Sequence, residues 1–221
     1  MRKTPFVTGE YYHIYNRGVD KRITFMDEYD VQRFYESLEE FNVSEPIGSI
    51  YENSFVKKLE SSTSKSEIDI LINLIAHCVN PNHFHLLIKQ KAESGIEKIM
   101  QRIGTGYTKY FNNKYKRSGA LFQGRFKSVH VDSNEYLLHL SAYINLNDKV
   151  HQLGSSTSKL IRSRSSLGEY IDKNIKGICD KSIILDQFKD VSEYKEFALL
   201  SLESIIERKE ELKNIGEFLL E

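Results

Sequence analysis

Residues 77–88 read HCVNPNHFHLLI, and this pattern decides the fold. An apolar run before it (residues 68–79, IDILINLIAHCV) and a second from 83 to 88 (HFHLLI) flank Asn80-Pro81-Asn82. Those three residue types favour a tight turn, so the stretch reads as a β-hairpin. Side chains alternate between faces along a strand, which sends His83 and His85 one way and Phe84, Leu86 and Ile88 the other. One ion can be held by such a pair. His-Phe-His alone is not specific, because histidine pairs on strands often have structural roles.

Upstream, residues 11–16 (YYHIYN) are rich in β-formers and end at Arg17-Gly18, which predicts a first strand and a turn. A helix follows, with Val31, Phe34, Leu38 and Phe41 at helical spacing and Asp27 or Asp30 favouring its N-terminus. Residues 43–67 are polar and become Ser-rich, and they read as a variable surface insertion. Downstream, residues 95–115 form a long amphipathic pattern interrupted by Gly104 and Gly106, residues 121–131 read as extended, and Asp132-Ser133-Asn134-Glu135 opens a helix through Asn147. The order βαββαβα predicts an α+β fold: a ferredoxin-like antiparallel sheet (βαββαβ) with helices packed on it. This unit is expected over residues 1–150, followed by a C-terminal helical extension over 151–221.

Composition fits a folded chain: 221 residues, 40% hydrophobic and 28% charged. No apolar run approaches the roughly 20 residues that cross a bilayer, and the basic start lacks an apolar segment after it. A cytoplasmic protein without a membrane partner is therefore expected. Cys78 and Cys179 lie at unrelated spacings in apolar surroundings, which suggests buried thiols rather than a disulfide or a zinc site. Net charge is zero, yet residues 101–131 contain no Asp or Glu while Arg102, Lys109, Lys114, Lys116, Arg117, Arg125 and Lys127 are cationic. Compensating acids lie elsewhere, among them Glu193, Glu196, Glu203, Glu207, Glu210, Glu211, Glu217 and Glu221 of the C-terminal tail, where they punctuate a helical pattern.

Within the basic stretch, Tyr107, Tyr110, Phe111, Tyr115, Phe122 and Phe126 interleave with Lys and Arg. Rings stack on bases and cations follow phosphates, which suits single-stranded or irregular nucleic acid. Lys109, Arg117, Arg125 and Lys127 are the expected phosphate contacts and Tyr107 an expected DNA contact, whereas Tyr110, Phe111 and Phe126 are expected to pack. Tyr143 and Asn147 are four apart on the last predicted helix and so share a face. A side-chain oxygen of Asn147 could complete a three-ligand site with His83 and His85, placing Tyr143 near a bound phosphate. A phenol has an unperturbed pKa of about 10 and needs activation to attack at neutral pH. With thirteen tyrosines in the chain, spacing alone does not single one out.

Four segments together resemble a known family: YHIYNRGVDKRITF (12–25), HCVNPNHFHLLI (77–88), IGTGYTKYFNNKYKRSGALFQGRFKS (103–128) and YLLHLSAYINLN (136–147). They look like the REP-associated tyrosine transposases, within the HUH single-tyrosine endonucleases. The resemblance implies a divalent metal, Mg2+ or Mn2+, held by His83, His85 and Asn147, and a covalent 5′-phosphotyrosine link formed by Tyr143 on cut single-stranded DNA. It also implies recognition of a DNA hairpin beside the cut, with Asn16 and Arg17 contributing, by a monomer or homodimer. Many relatives read Asn-Pro-Val after the tyrosine helix, whereas this chain has Asn147-Asp148-Lys149-Val150. His13, on the same face of the first strand as Tyr15 and Arg17, is a candidate to support the metal pair. Two other readings stand beside this one: a non-catalytic nucleic-acid binder of ferredoxin-like fold, and a metal-dependent hydrolase in which Tyr143 is structural.

Overall fold

Alternation of side chains along β1 (Tyr11–Arg17) organises the molecule, because this strand lies between β4 (Lys127–Val131) and β3 (His83–Gln90). β2 (Ile72–Asn80) and the short β5 (Arg164–Ser165) complete an antiparallel sheet ordered β4-β1-β3-β2-β5. The computed structural model describes residues 5–53, 69–150 and 164–214, with side chains to residue 207. Its first four strands have the ferredoxin-like order that the βαββαβ pattern predicts. The expected insertion therefore falls largely outside the described residues, as does the junction after residue 150.

Opposed residues in an antiparallel ladder share a face. Tyr12, Ile14 and Asn16 oppose Ile88, Leu86 and Phe84, and this face is covered by α1 (Glu28–Glu40) and α2 (Gly95–Lys114). Phe34, Leu38, Ile99, Ile103 and Tyr107 fill the space between them. His13, Tyr15 and Arg17 oppose Leu87, His85 and His83 on the other face. There α3 (Asn134–Asn145) and α7 (Val191–Asn214) pack over Ile75, Ala76, Cys78 and Leu87 with Leu137, Leu140, Ile144 and Tyr194. The second layer leaves the outer part of the β1/β3 pair, where the histidines sit, bordering an open cleft.

Asp30 joins the first layer internally. Asp27 caps α1 by accepting from the Asp30 N–H at 3.0 Å, and the Asp30 carboxylate accepts from the Met26 N–H at 2.8 Å. The same buried carboxylate accepts from Lys114 Nζ at 2.7 Å and from the Tyr110 and Tyr115 hydroxyls at 3.1 and 2.8 Å. Part of the basic, aromatic stretch is thus consumed in tying the end of α2 to the start of α1. Gly106, which interrupts the helical pattern of the sequence, sits where an added Cβ would lie 3.0 Å from the Phe41 ring. Here glycine permits the close approach of α2 to the end of α1.

Two sequence expectations are corrected. Residues 121–126 are not strand: Gly119 and Gly124 adopt φ of +84° and +66°, and the segment turns so that Leu121 and Phe122 enter the core while the Gln123 N–H donates to the Arg17 carbonyl at 2.8 Å. The helix expected through Asn147 stops at Asn145. Leu146, with φ −113° and ψ 16°, separates it from a single turn, α4 (Asn147–Val150), and both Leu146 and Asn147 are buried there.

Beyond residue 163 the chain packs back on the sheet. β5 pairs with β2, α5 (Leu167–Ile171) brings the Tyr170 hydroxyl to the Ile75 carbonyl at 2.8 Å, and α6 (Ser182–Leu185) leads into α7. Tyr194 on α7 accepts from Asn145 Nδ2 at 2.7 Å. Among the described residues no helix is long and apolar enough to cross a membrane.

Asp30→Ala leaves two phenols and an ammonium without their shared acceptor, although Asp27 still holds Lys114 at 2.7 Å. Urea unfolding should report a loss of about 2–3 kcal/mol. A loss below about 0.5 kcal/mol would show that this cluster does not hold α1 to α2.

Candidate active site

The β2–β3 turn is fixed from outside before any site residue is considered. The Pro81 carbonyl accepts from the Thr24 and Phe25 N–H groups at 2.8 and 3.0 Å, and the Asn82 carbonyl accepts from the Gly18 N–H at 2.8 Å. His83 therefore begins β3 at a defined position, and His85 follows on the same face. Their ring centroids are 5.2 Å apart with the planes nearly perpendicular.

Both imidazoles are held by hydrogen bonds. His83 Nδ1 lies 2.7 Å from Asn82 Oδ1, an acceptor, so Nδ1 carries the proton and Nε2 the lone pair. Nε2 faces Asn80 Nδ2 at 2.7 Å. His85 Nδ1 meets His13 Nε2 at 2.9 Å, both rings being buried. Burial pushes His13 down to about 4, because the imidazolium loses its hydration there. His13 is thus neutral at ordinary pH and can accept from His85 Nδ1.

Tyr143, on α3, is brought to this pair. Its ring centroid lies 5.6 Å from that of His85 at an interplanar angle of 83°, and 6.3 Å from that of His13. Tyr15 stacks from the neighbouring strand, 5.8 Å from His85. These side chains line an open cleft of about 440 Å³ together with Arg17, Lys21, Gln123 and Lys127. Arg17 donates through Nε to Gln123 Oε1 at 2.5 Å, and Lys127 Nζ lies 6.0 Å from the Tyr15 ring centre. Cations line the cleft and, among the described residues, the lining includes no Asp or Glu, a combination that favours an anion.

Asn147 lies behind this surface. It is fully buried and does not line the cleft; its Oδ1 accepts from Asn80 Nδ2 at 2.6 Å, and its Nδ2 has no hydrogen-bond partner among the described residues. Asn80, itself buried, therefore links His83 to Asn147. Of the expected set His83, His85 and Asn147, the histidines line the cleft, and Asn147 meets His83 through Asn80.

The expected DNA contacts separate. Arg17 and Lys127 reach the cleft, and Asn16, nearly buried, borders both it and an adjoining hollow of about 980 Å³ that Arg125 also lines. Tyr107 is corrected: it is fully buried and donates to the Thr24 carbonyl at 2.7 Å, so its ring belongs to the core and cannot stack on a base. Arg117 is occupied with the turn after α2, through Asn112 Oδ1 at 2.7 Å and the Ala120 carbonyl at 3.3 Å. Lys109 borders a separate hollow beside residues 46–51. The lining by Tyr15, Lys21 and Gln123 and the linking role of Asn80 escaped sequence reasoning. Asn80 read as a turn residue, and only its pairing opposite His83 reveals its inward position.

Comparison with known proteins places this geometry beside two findings. Residues 48–147 match the family described as "Transposase IS200 like". A solved structure of a REP-associated tyrosine transposase bound to a REP hairpin aligns over 80% of this chain and 88% of its own, at 13% identity and a TM-score of 0.44. No curated protein matches the chain.

Asn80→Ala leaves Asn147 Oδ1 buried without its donor and removes the partner of His83 Nε2. Thermal unfolding should fall by roughly 2–8 °C, corresponding to about 1–3 kcal/mol. An unchanged Tm would mean that the buried relay contributes nothing to the folded state.

Proposed function

We propose, on the match of residues 48–147 to the family described as "Transposase IS200 like", that this chain cleaves and rejoins single-stranded DNA beside a hairpin, with Tyr143 as nucleophile. The observation carrying this reading is the convergence of a helix-borne phenol on a strand-borne imidazole pair, 5.6 Å from His85, at a cleft lined by Arg17, Lys21 and Lys127. A structural tyrosine would not need this cationic opening, and a simple binder would not need the histidines.

The donor set fits a divalent cation. With its Nδ1–H held by Asn82, His83 would offer the Nε2 lone pair once Asn80 Nδ2 turns aside, and His85 would offer Nε2 when its Nδ1–H is given to neutral His13. Fixing one ring nitrogen to orient the other is the usual arrangement of metal-binding histidines. Asn147 would join them as a ligand only after Asn80 moves aside; otherwise Asn80 holds the nearer amide. When bound, Mg2+ or Mn2+ would polarise the phosphate and neutralise charge developing on its oxygens.

The residues of the chain then divide the work. Lys127 and Arg17 hold phosphate groups, and Tyr15 presents a ring face at the cleft for a base. Tyr143 Oη loses its proton to solvent or a neighbouring base and bonds to phosphorus. The bond from phosphorus to the 3′ oxygen breaks, and that oxygen leaves as a 3′-hydroxyl after taking up a proton. The 5′-phosphotyrosine keeps the bond energy, so an incoming 3′-hydroxyl can displace Tyr143 and reseal a strand without ATP.

End-labelled single-stranded DNA carrying a hairpin, incubated with the protein and Mg2+ or Mn2+, should give a covalent adduct on a denaturing gel. Tyr143→Phe should lose the adduct, and His83→Ala should reduce cleavage by at least about 100-fold. Hairpin affinity should stay within about threefold for both variants, since phosphate contacts lie on other residues. Binding without an adduct would favour the non-catalytic reading; cleavage without an adduct would favour a hydrolase.

A further inference from the structure

On the opposite face of the sheet from the histidine pair, β2, α5 and the segment after it bring together His77, Glu169 and Cys179. Cross-strand pairing of His77 with Leu86 puts its ring on the α1 side, where the ring of Tyr35 packs at 4.8 Å. His77 Nε2 lies 3.2 Å from Glu169 Oε1, and Glu169 Oε2 accepts from the Cys179 N–H at 3.1 Å. Ligand-type atoms of all three residues lie within 4.8 Å of one another. None of the three lines the proposed DNA cleft.

We infer that His77, Glu169 and Cys179 form a second metal site, specific for a zinc-like cation and distinct from the cleft. The donors are one imidazole nitrogen, one carboxylate oxygen and one sulfur, a set suited to zinc and poorly suited to magnesium, which takes oxygen ligands in octahedral geometry. With thiolate and carboxylate each carrying one negative charge, a divalent ion brings the site to neutrality, which matters where water is largely excluded. A tetrahedral zinc with bonds of about 2.0–2.3 Å holds its donors roughly 3.3–3.8 Å apart. Binding would therefore draw the three atoms from within 4.8 Å of one another to that spacing.

Two further features support the inference. His77 is almost fully buried, yet its Nδ1 has no hydrogen-bond partner among the described residues. A buried ring nitrogen left unpaired calls for an ion or water that satisfies it in solution. The backbone around the ligands is also held in advance: the His77 N–H donates to Ser166 Oγ at 2.9 Å, and Lys181 Nζ donates to the Glu169 carbonyl. Cys179 is half-buried, which leaves a fourth position open to water from the solvent side. Burial raises the Cys179 thiol well above its usual range, so metal binding must release the thiol proton to solvent as the sulfur–metal bond forms. The consequence is a cross-link from β2 to α5 and to the segment that follows it.

The test uses the full chain after chelation and dialysis. Added Co2+ should produce a thiolate-to-metal charge-transfer band in the near-ultraviolet, Zn2+ should displace it, and Mg2+ should not. The band should survive His83→Ala and disappear in Cys179→Ser. Zn2+ should also slow alkylation of Cys179 in the wild-type chain by about tenfold or more, read by peptide mapping, because a metal-bound thiolate is a poorer nucleophile. This second readout decides the matter if Cys179→Ser does not fold. Absence of both the band and the protection in folded wild-type protein overturns the inference, as does a band that persists without Cys179. DNA cleavage is not used in either readout, so the outcome is separate from that of the proposed function.

Discussion

The antiparallel register of β1 against β3 is the constraint on which the rest of the molecule depends. Tyr15 opposite His85 and Arg17 opposite His83 put two imidazoles, a phenol and a guanidinium on one face, while Ile14 opposite Leu86 gives the other face to the core. A slip of one residue would send His83 and His85 into the apolar layer under α1 and α2, and Phe84 and Leu86 into the cleft. The apolar pattern therefore specifies the site as firmly as it specifies the fold. Hydrogen bonds from Gly18, Thr24 and Phe25 to the β2–β3 turn lock that register at the end where the histidines lie.

Polar groups on the second face form a layered arrangement. The cleft surface carries His13, His83, His85, Tyr15 and Tyr143, and Asn80 with Asn147 lies behind His83. Such buried polar groups are costly unless paired, and their pairing fixes ring orientation. The one buried amide nitrogen left unpaired, that of Asn147 among these residues, lies where a change at Asn80 would be felt first. The cleft is thereby connected to the bend at Leu146 that ends α3.

Much of this was legible in the sequence, and for identifiable reasons. Strand alternation placed His83 and His85 together, and the order of periodic segments predicted the sheet, since both are local properties of the chain. Tyr143 reached the pair as expected, because helical periodicity survives as far as Asn145. The hydrogen bond of Asn147 to Asn80 was not legible, because it joins residues far apart in the chain. The same limit explains Tyr107: aromatic and basic residues alternate along α2, but which rings face inward depends on the partner helix, and Phe25, Phe34 and Phe122 surround this one. Lys114 likewise looked like part of a phosphate-binding field until Asp27 and Asp30, from the start of α1, met it. The His77, Glu169 and Cys179 group was invisible because its members come from separate elements with no motif spacing.

Two phenols line the cleft, Tyr143 and Tyr15, and the proposed strand cleavage requires Tyr143 to form the adduct. Protease digestion of the adduct formed on hairpin DNA, followed by mass spectrometry of the nucleotide-bearing peptide, tests the assignment directly. The account predicts nucleotide mass on the peptide containing Tyr143 and fragment ions that place it on that residue. Nucleotide on Tyr15, or on any residue outside α3, would contradict it.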